Sequence, residues 1–141
     1  MLKTLVPVDG SRNSLRAVRH VINLMKDREP MEVHLLNVQE VVDAWEVRRF
    51  LKNSEIRRLQ TKRGEQQLEP AKSLLDKAGV RYQTHVGIGD VADTIVRFAR
   101  RNRIDKIIMG TRGLGAVKSL LLGSIATKVI HLSDVPVTLV K

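Results

Sequence analysis

Four glycines in fourteen positions, Gly110, Gly113, Gly115 and Gly123, punctuate the stretch "GTRGLGAVKSLLLGSIATKV" before it turns amphipathic. Glycine weakens regular structure, so such a cluster means that the backbone must turn there or that something approaches it closely. The segment runs from a short apolar stretch into a helix start at Gly123–Ser124, and phosphate chemistry suits that arrangement. The first N–H groups of a helix are unpaired and its N-terminus carries partial positive charge. The Ser124 hydroxyl can cap the helix and also donate to an oxygen. Arg112 and Lys118 could neutralise phosphate charge or stand as loop cations; both readings remain open. The spacing is not G-x-x-x-x-G-K-[ST], and "GTRGLG" is not the G-x-G-x-x-G that follows a first strand, so two familiar phosphate loops are excluded.

Other chemistry is poorly supplied. The chain has no Cys, which removes disulfides, thiol nucleophiles and Cys-ligated zinc. His20 and His131 fall in helical segments, His34 and His85 in strands, and none forms an H-x-x-x-H pair, so no protein metal site is expected. A magnesium ion would instead arrive with the phosphates. Ser119 and Ser124 lack a G-x-S-x-G setting, which leaves serine-hydrolase chemistry unsupported. The formal charge is +10, and residues 48–63 hold seven Lys or Arg against Glu55. Aromatics are only 3% of the 141 residues, too few for a stacking platform, so nucleic acid is not expected as a main partner. Trp45 and Phe50 read as packing residues. No apolar run approaches a membrane span, and "MLKTLVPVDGS" reads as a first strand rather than a signal peptide. A cytoplasmic protein with no membrane partner is the expectation.

Periodicity supplies the elements that would position the glycines. Short β-branched runs predict strands at 2–8, 31–38, 80–86, 106–110 and 135–141. Between them, apolar stripes predict helices over 14–26, from about 42 to 78, after the Asp90 cap, and over 124–132. Pro70 should kink the long helical segment or begin its second half. Strands alternating with helices of crossover length give one doubly wound, Rossmann-like α/β domain over residues 1–141. A five-stranded parallel sheet with helices on both faces is expected. Ligands of such sheets bind beyond the carboxyl ends of strands where the strand order reverses.

The ordered set "VPVDGS", "LLNV", "IIMGTRG", "LLLGSIATKVI" and "PVTLVK", with Gly110-x₂-Gly113-x₉-Gly123-Ser124, resembles the ATP-binding subset of the universal stress protein family. The likeness spans essentially the whole chain. It implies a homodimeric stress-response regulator that binds ATP, or ADP or AMP, with slow or no hydrolysis and a protein partner that the sequence does not identify. Carried over by position, it implies that Pro7, Val8 and Asp9 line the nucleoside and that Val38 meets the adenine edge through its backbone. Met109 and Gly110 would border the nucleoside; Gly113, Gly123, Ser124 and Ile125 would hold the phosphates. Ala126 stands where the family often has a hydroxyl, which removes one phosphate contact. The rival reading of Asp9 is that of a turn residue and helix cap alone. A nucleotide-free interaction module and an adenylate-transfer enzyme are the alternative readings. The resemblance also implies a C-terminal edge strand that joins two copies. Pairing would centre on residues 137–140, since Pro136 lacks an N–H, and Thr138 would be where a proline disrupts it.

Overall fold

Leu5 and Val6 are neighbours in the first strand yet lie in the cores on opposite faces of one sheet. Leu35 and Leu36 in the second strand divide the same way, as do Ile108 and Ile107 in the fourth. Unbroken apolar runs of this kind suit strands covered on both faces, because side chains alternate across a strand. The computed structural model describes residues 1–42, 45–111 and 122–141, with only the backbone of 46–48.

The order is β1 (Leu2–Pro7), α1 (Arg12–Lys26), β2 (Met31–Gln39), α2 (Trp45–Phe50), α3 (Asn53–Lys77), β3 (Tyr82–Ile88), α4 (Val91–Arg101), β4 (Lys106–Gly110), α5 (Ser124–Leu132) and β5 (Val137–Val140). All strand pairings are parallel, in the spatial order β3-β2-β1-β4-β5. Helices α1 and α3 cover one face through Ala17, Val18, Val21, Leu68, Ala71 and Leu75. Helices α4 and α5 cover the other through Ile95, Val96, Ala126 and Val129. The fold class read from the sequence is therefore the fold observed. Among the described residues no helix is long and apolar enough to cross a membrane.

Two local expectations are corrected. The segment expected as one helix broken at Pro70 is two helices, and the break falls at Leu51–Lys52. Pro70 lies inside α3, exposed, with Leu68, Ala71 and Leu75 buried around it. That burial offsets the backbone hydrogen bond that a proline nitrogen cannot make. Trp45 and Phe50 do not pack: they are 66% and 81% exposed.

The sheet also brings together two histidines that the sequence left apart. His34 Nδ1 lies 3.0 Å from His85 Nε2, and His34 Nε2 lies 2.8 Å from Glu32 Oε1. Phe98 of α4 stands over the His85 ring at 4.6 Å between centroids. A carboxylate accepting from His34 Nε2–H leaves Nδ1 as the acceptor for His85 Nε2–H, which fixes both tautomers. Burial, and then the neighbouring His34, hold the His85 pKa below its ordinary 6.5. The fold therefore favours neutral His85, and its stabilisation is complete above pH 6.5 and declines as acid protonates the unfolded chain first. Urea denaturation at pH 7.5 and 5.5 should show lower stability at the acid value. His85→Gln, which can still donate to His34, should make that decline shallower.

Candidate nucleotide site

The strand order reverses between β1 and β4, and the chain leaves these two strands over opposite faces. After Pro7 it turns through Val8, Asp9 and Gly10 into α1. Gly10 has φ +85°, a conformation that side chains rarely adopt. Asp9 Oδ1 accepts from Ser11 N at 2.8 Å, and Ser11 caps α1 by accepting from Ser14 N at 3.2 Å. Asp9 thus shapes the turn on the rim where β1 ends, and the cap expected of it falls to Ser11.

Gly110 closes β4 directly against α1. A Cβ there would stand 2.8 Å from the carbonyl carbon and oxygen of Asn13, so this glycine is required by helix–strand packing. Met109, beside it, is buried on the α4–α5 face. From Thr111 the rim connects to α5, because Gly123 N donates to Thr111 O at 2.6 Å. The starts of α1 and α5 are both tied to the end of β4.

The cap of α5 corrects the sequence reading. Gly123 occupies the N-cap, with no side-chain hydrogen bond, and Ser124 is the first helical residue. The Ser124 and Ile125 side chains are exposed. Thr127 N and Oγ1 both bond to Gly123 O, at 3.0 and 2.9 Å, so the cap carbonyl is engaged within the helix. An N-cap without a side-chain oxygen leaves the first N–H groups to other acceptors. Gly113, Gly115, Arg112, Lys118 and Ser119 lie outside the described residues.

Val38 turns its backbone groups away from β3, and the register explains how. Leu36 O accepts from Val8 N at 2.9 Å, so Leu36 turns its polar groups toward β1, while Gln39 O accepts from Gly89 N on the β3 side. Backbone groups alternate along a strand, so those of Val38 face the β1 side. The pairing of β1 with β2 ends at Pro7 and Leu36, so they face past the end of β1.

Beneath this rim lies an amide cluster that sequence reasoning missed. Asn37, fully buried, donates through Nδ2 to Val8 O and to Gln67 Oε1, both at 2.8 Å. Gln39 Nε2 donates to Asn37 Oδ1 at 2.7 Å and to Gln67 Oε1 at 3.1 Å. The cluster ties α3 and β2 to the residue before Asp9. Gly64 makes the close approach possible, since a Cβ would meet Val86 Cγ1 at 2.7 Å and Asn37 Oδ1 at 2.9 Å. Two amides within a strand whose other residues are mostly apolar were the available signal: buried polar side chains need partners. Asn37→Ala leaves Val8 O, Gln39 and Gln67 short of partners. Chemical denaturation should show a loss of about 2–3 kcal/mol.

Comparison with known proteins agrees with this fold. A family profile, described as the universal stress protein family, matches residues 1–141. Universal stress protein MJ0531 of Methanocaldococcus jannaschii is 34% identical, over 99% of this chain and 81% of its own length. Universal stress protein YxiE of Bacillus subtilis is 32% identical, over 99% of this chain and 98% of its own. The solved structure of hypothetical protein MJ0577 superposes with a TM-score of 0.84 at 31% identity, covering 99% of this chain and 95% of that one. Solved structures with cAMP, with AMP (from Arabidopsis thaliana) and with dAMP (from Archaeoglobus fulgidus) share the fold, at TM-scores of 0.68, 0.71 and 0.69. These last three are 20%, 20% and 22% identical to this chain, a likeness of fold alone.

Proposed function

The chain belongs to the universal stress protein family, and on that premise we propose that it binds an adenine nucleotide, ATP or its products ADP and AMP, beyond the ends of β1 and β4. It acts as a homodimeric stress-response regulator with slow or no hydrolysis. One observation supports the reading above the others. The open N-cap of α5 stands beside the topological switch, joined to the end of β4 through Thr111. A helix start there suits phosphate, and Gly123 keeps side chains out of its way. The adenine nucleotides in the related solved structures point to the same ligand class.

In this reading Ser124 and Ile125 offer backbone N–H groups to the phosphates, together with Gly113, while Gly123, whose own N–H is taken by Thr111 O, keeps the approach to them free of a side chain. Pro7, Val8 and Asp9 form the nucleoside wall, Val38 presents backbone groups to the adenine edge, and Met109 and Gly110 close the floor. Magnesium comes in with the phosphates and screens their charge. Fast phosphoryl transfer would need a positioned base and cationic stabilisation of the transition state. The sequence has neither a Walker lysine nor a catalytic motif, so the site holds nucleotide rather than spending it. The protein acts in the cytoplasm, through a protein partner.

ATP at ~100 times its dissociation constant should stabilise the fold by about 2.7 kcal/mol, seen as a raised melting temperature with Mg-ATP and a smaller rise with GTP. Gly123→Val should abolish that shift and leave the fold intact, since φ −70° and ψ 160° suit a branched residue. Ser124→Ala keeps the backbone donors and should bind within about tenfold of wild type. Equal affinity of Gly123→Val in calorimetry would assign the glycine to the turn alone.

The dimer is proposed through β5, which lies at the sheet edge. Ile107 N donates to Pro136 O and Thr111 N to Val140 O, so the even-numbered residues of β5 pair with β4. Thr138 therefore belongs to the ladder inside the sheet, not to the outer edge as expected, and the outward N–H groups are those of Val137 and Leu139. Ile125, Ile130 and Leu132 on α5 add exposed apolar surface. Val137→Pro removes one outward donor at similar volume, so light scattering should show a weakened dimer. A folded variant that dimerises as tightly as wild type would place the interface elsewhere.

A further inference from the structure

The least buried aromatics of the molecule stand on a strongly basic segment. Trp45 and Phe50 are 66% and 81% exposed at the two ends of α2, with Val41 57% exposed before it and Leu59 50% exposed after it. The Arg49 guanidinium lies 5.9 Å from the Trp45 ring centre and 6.0 Å from that of Phe50. A cation over a ring in water is a weak contact, and it buries neither ring. From Arg49 to Arg63 six Lys or Arg stand against the single carboxylate Glu55, and all six are exposed. In α3, Ile56, Gln60 and Gly64 form the buried stripe. At 3.6 residues per turn this turns Arg58 and Lys62 to the opposite side with Leu59 on its flank, so the exposed face mixes cations with an apolar residue.

We propose that α2 and the outer face of the first turns of α3 form a docking surface for an anionic lipid bilayer. Charge complementarity selects an anionic partner. A second copy of this chain would bring the same cations and be repelled. Rings this exposed sit in no groove, so a rigid partner would have to supply a cavity for each. A bilayer interface takes in projecting aromatic side chains without one, while Lys and Arg at its surface meet anionic headgroups. The expectation of no membrane partner came from the absence of a span, and surface docking needs none. The surface is independent of the nucleotide reading, which concerns the rim between β1 and β4.

Trp45 is the only tryptophan of the chain, so its fluorescence reports on this surface alone. Full-length protein would be mixed with vesicles of phosphatidylcholine, with vesicles containing one part phosphatidylglycerol to two of phosphatidylcholine, and with a single-stranded oligonucleotide. Cosedimentation with the anionic vesicles and a shift of Trp45 emission to shorter wavelength are expected, with neither for the neutral vesicles and both suppressed by salt. Phe50→Ala, and separately Arg58→Glu with Lys62→Glu, change only exposed positions and should each weaken vesicle binding about tenfold or more. No sedimentation with anionic vesicles, sedimentation without a Trp45 shift, or binding indifferent to Phe50→Ala overturns the proposal. So does binding of the oligonucleotide alone.

Discussion

In a parallel sheet every strand ends at the same rim, and the chain must leave each end over one face or the other. Here β1 sends its chain over the α1–α3 face and β4 sends its chain over the α4–α5 face. Because the two strands are neighbours, the starts of α1 and α5 come to one rim from opposite faces, the place where ligands of such sheets bind. The features of the candidate site follow from that divergence. Gly110 exists to let α1 close against the end of β4, the Asp9–Ser11 turn starts α1, and Gly123 starts α5 with its first amides turned to the rim.

The amide cluster is what keeps the β1 side of this rim in place. Val8 has passed the last ladder pair of β1, and its backbone is held from both directions, by Leu36 O through its nitrogen and by Asn37 Nδ2 through its oxygen. Gln67 carries the restraint into α3. Buried amides make a demanding support, because each must be matched in donor and acceptor, and here they are matched to one another. A rigid wall on the β1 side and a helix start on the β4 side are what preorganised binding of an extended ligand needs.

Much of this was legible in the sequence, for reasons that differ by element. The strands were readable because burial on both faces makes them nearly all apolar. The cap residue Asp90 was readable because a small polar side chain before an apolar stripe has one common use. Pro70 misled, since an interior proline is tolerated where the neighbouring turns are buried. Ser124 misled in the opposite sense: two adjacent residues could begin α5, and the glycine took the cap. The meeting of His34 with His85 could not be read, because strand register sets it across 51 positions of sequence. Nor could the exposure of Trp45 and Phe50, where the usual inference from aromatic to core gives way to a short helix whose two rings face solvent.

The central claim is that one ligand touches three separate segments at the switch. Backbone amide shifts of isotopically labelled protein titrated with ATP test it most directly. The account predicts movement at Asp9, Val38 and Gly123 through Ile125, in one saturating process, with the β2–β3 edge at Tyr82–Thr84 unmoved. Shifts confined to one of the three segments, or centred on that edge, would contradict it.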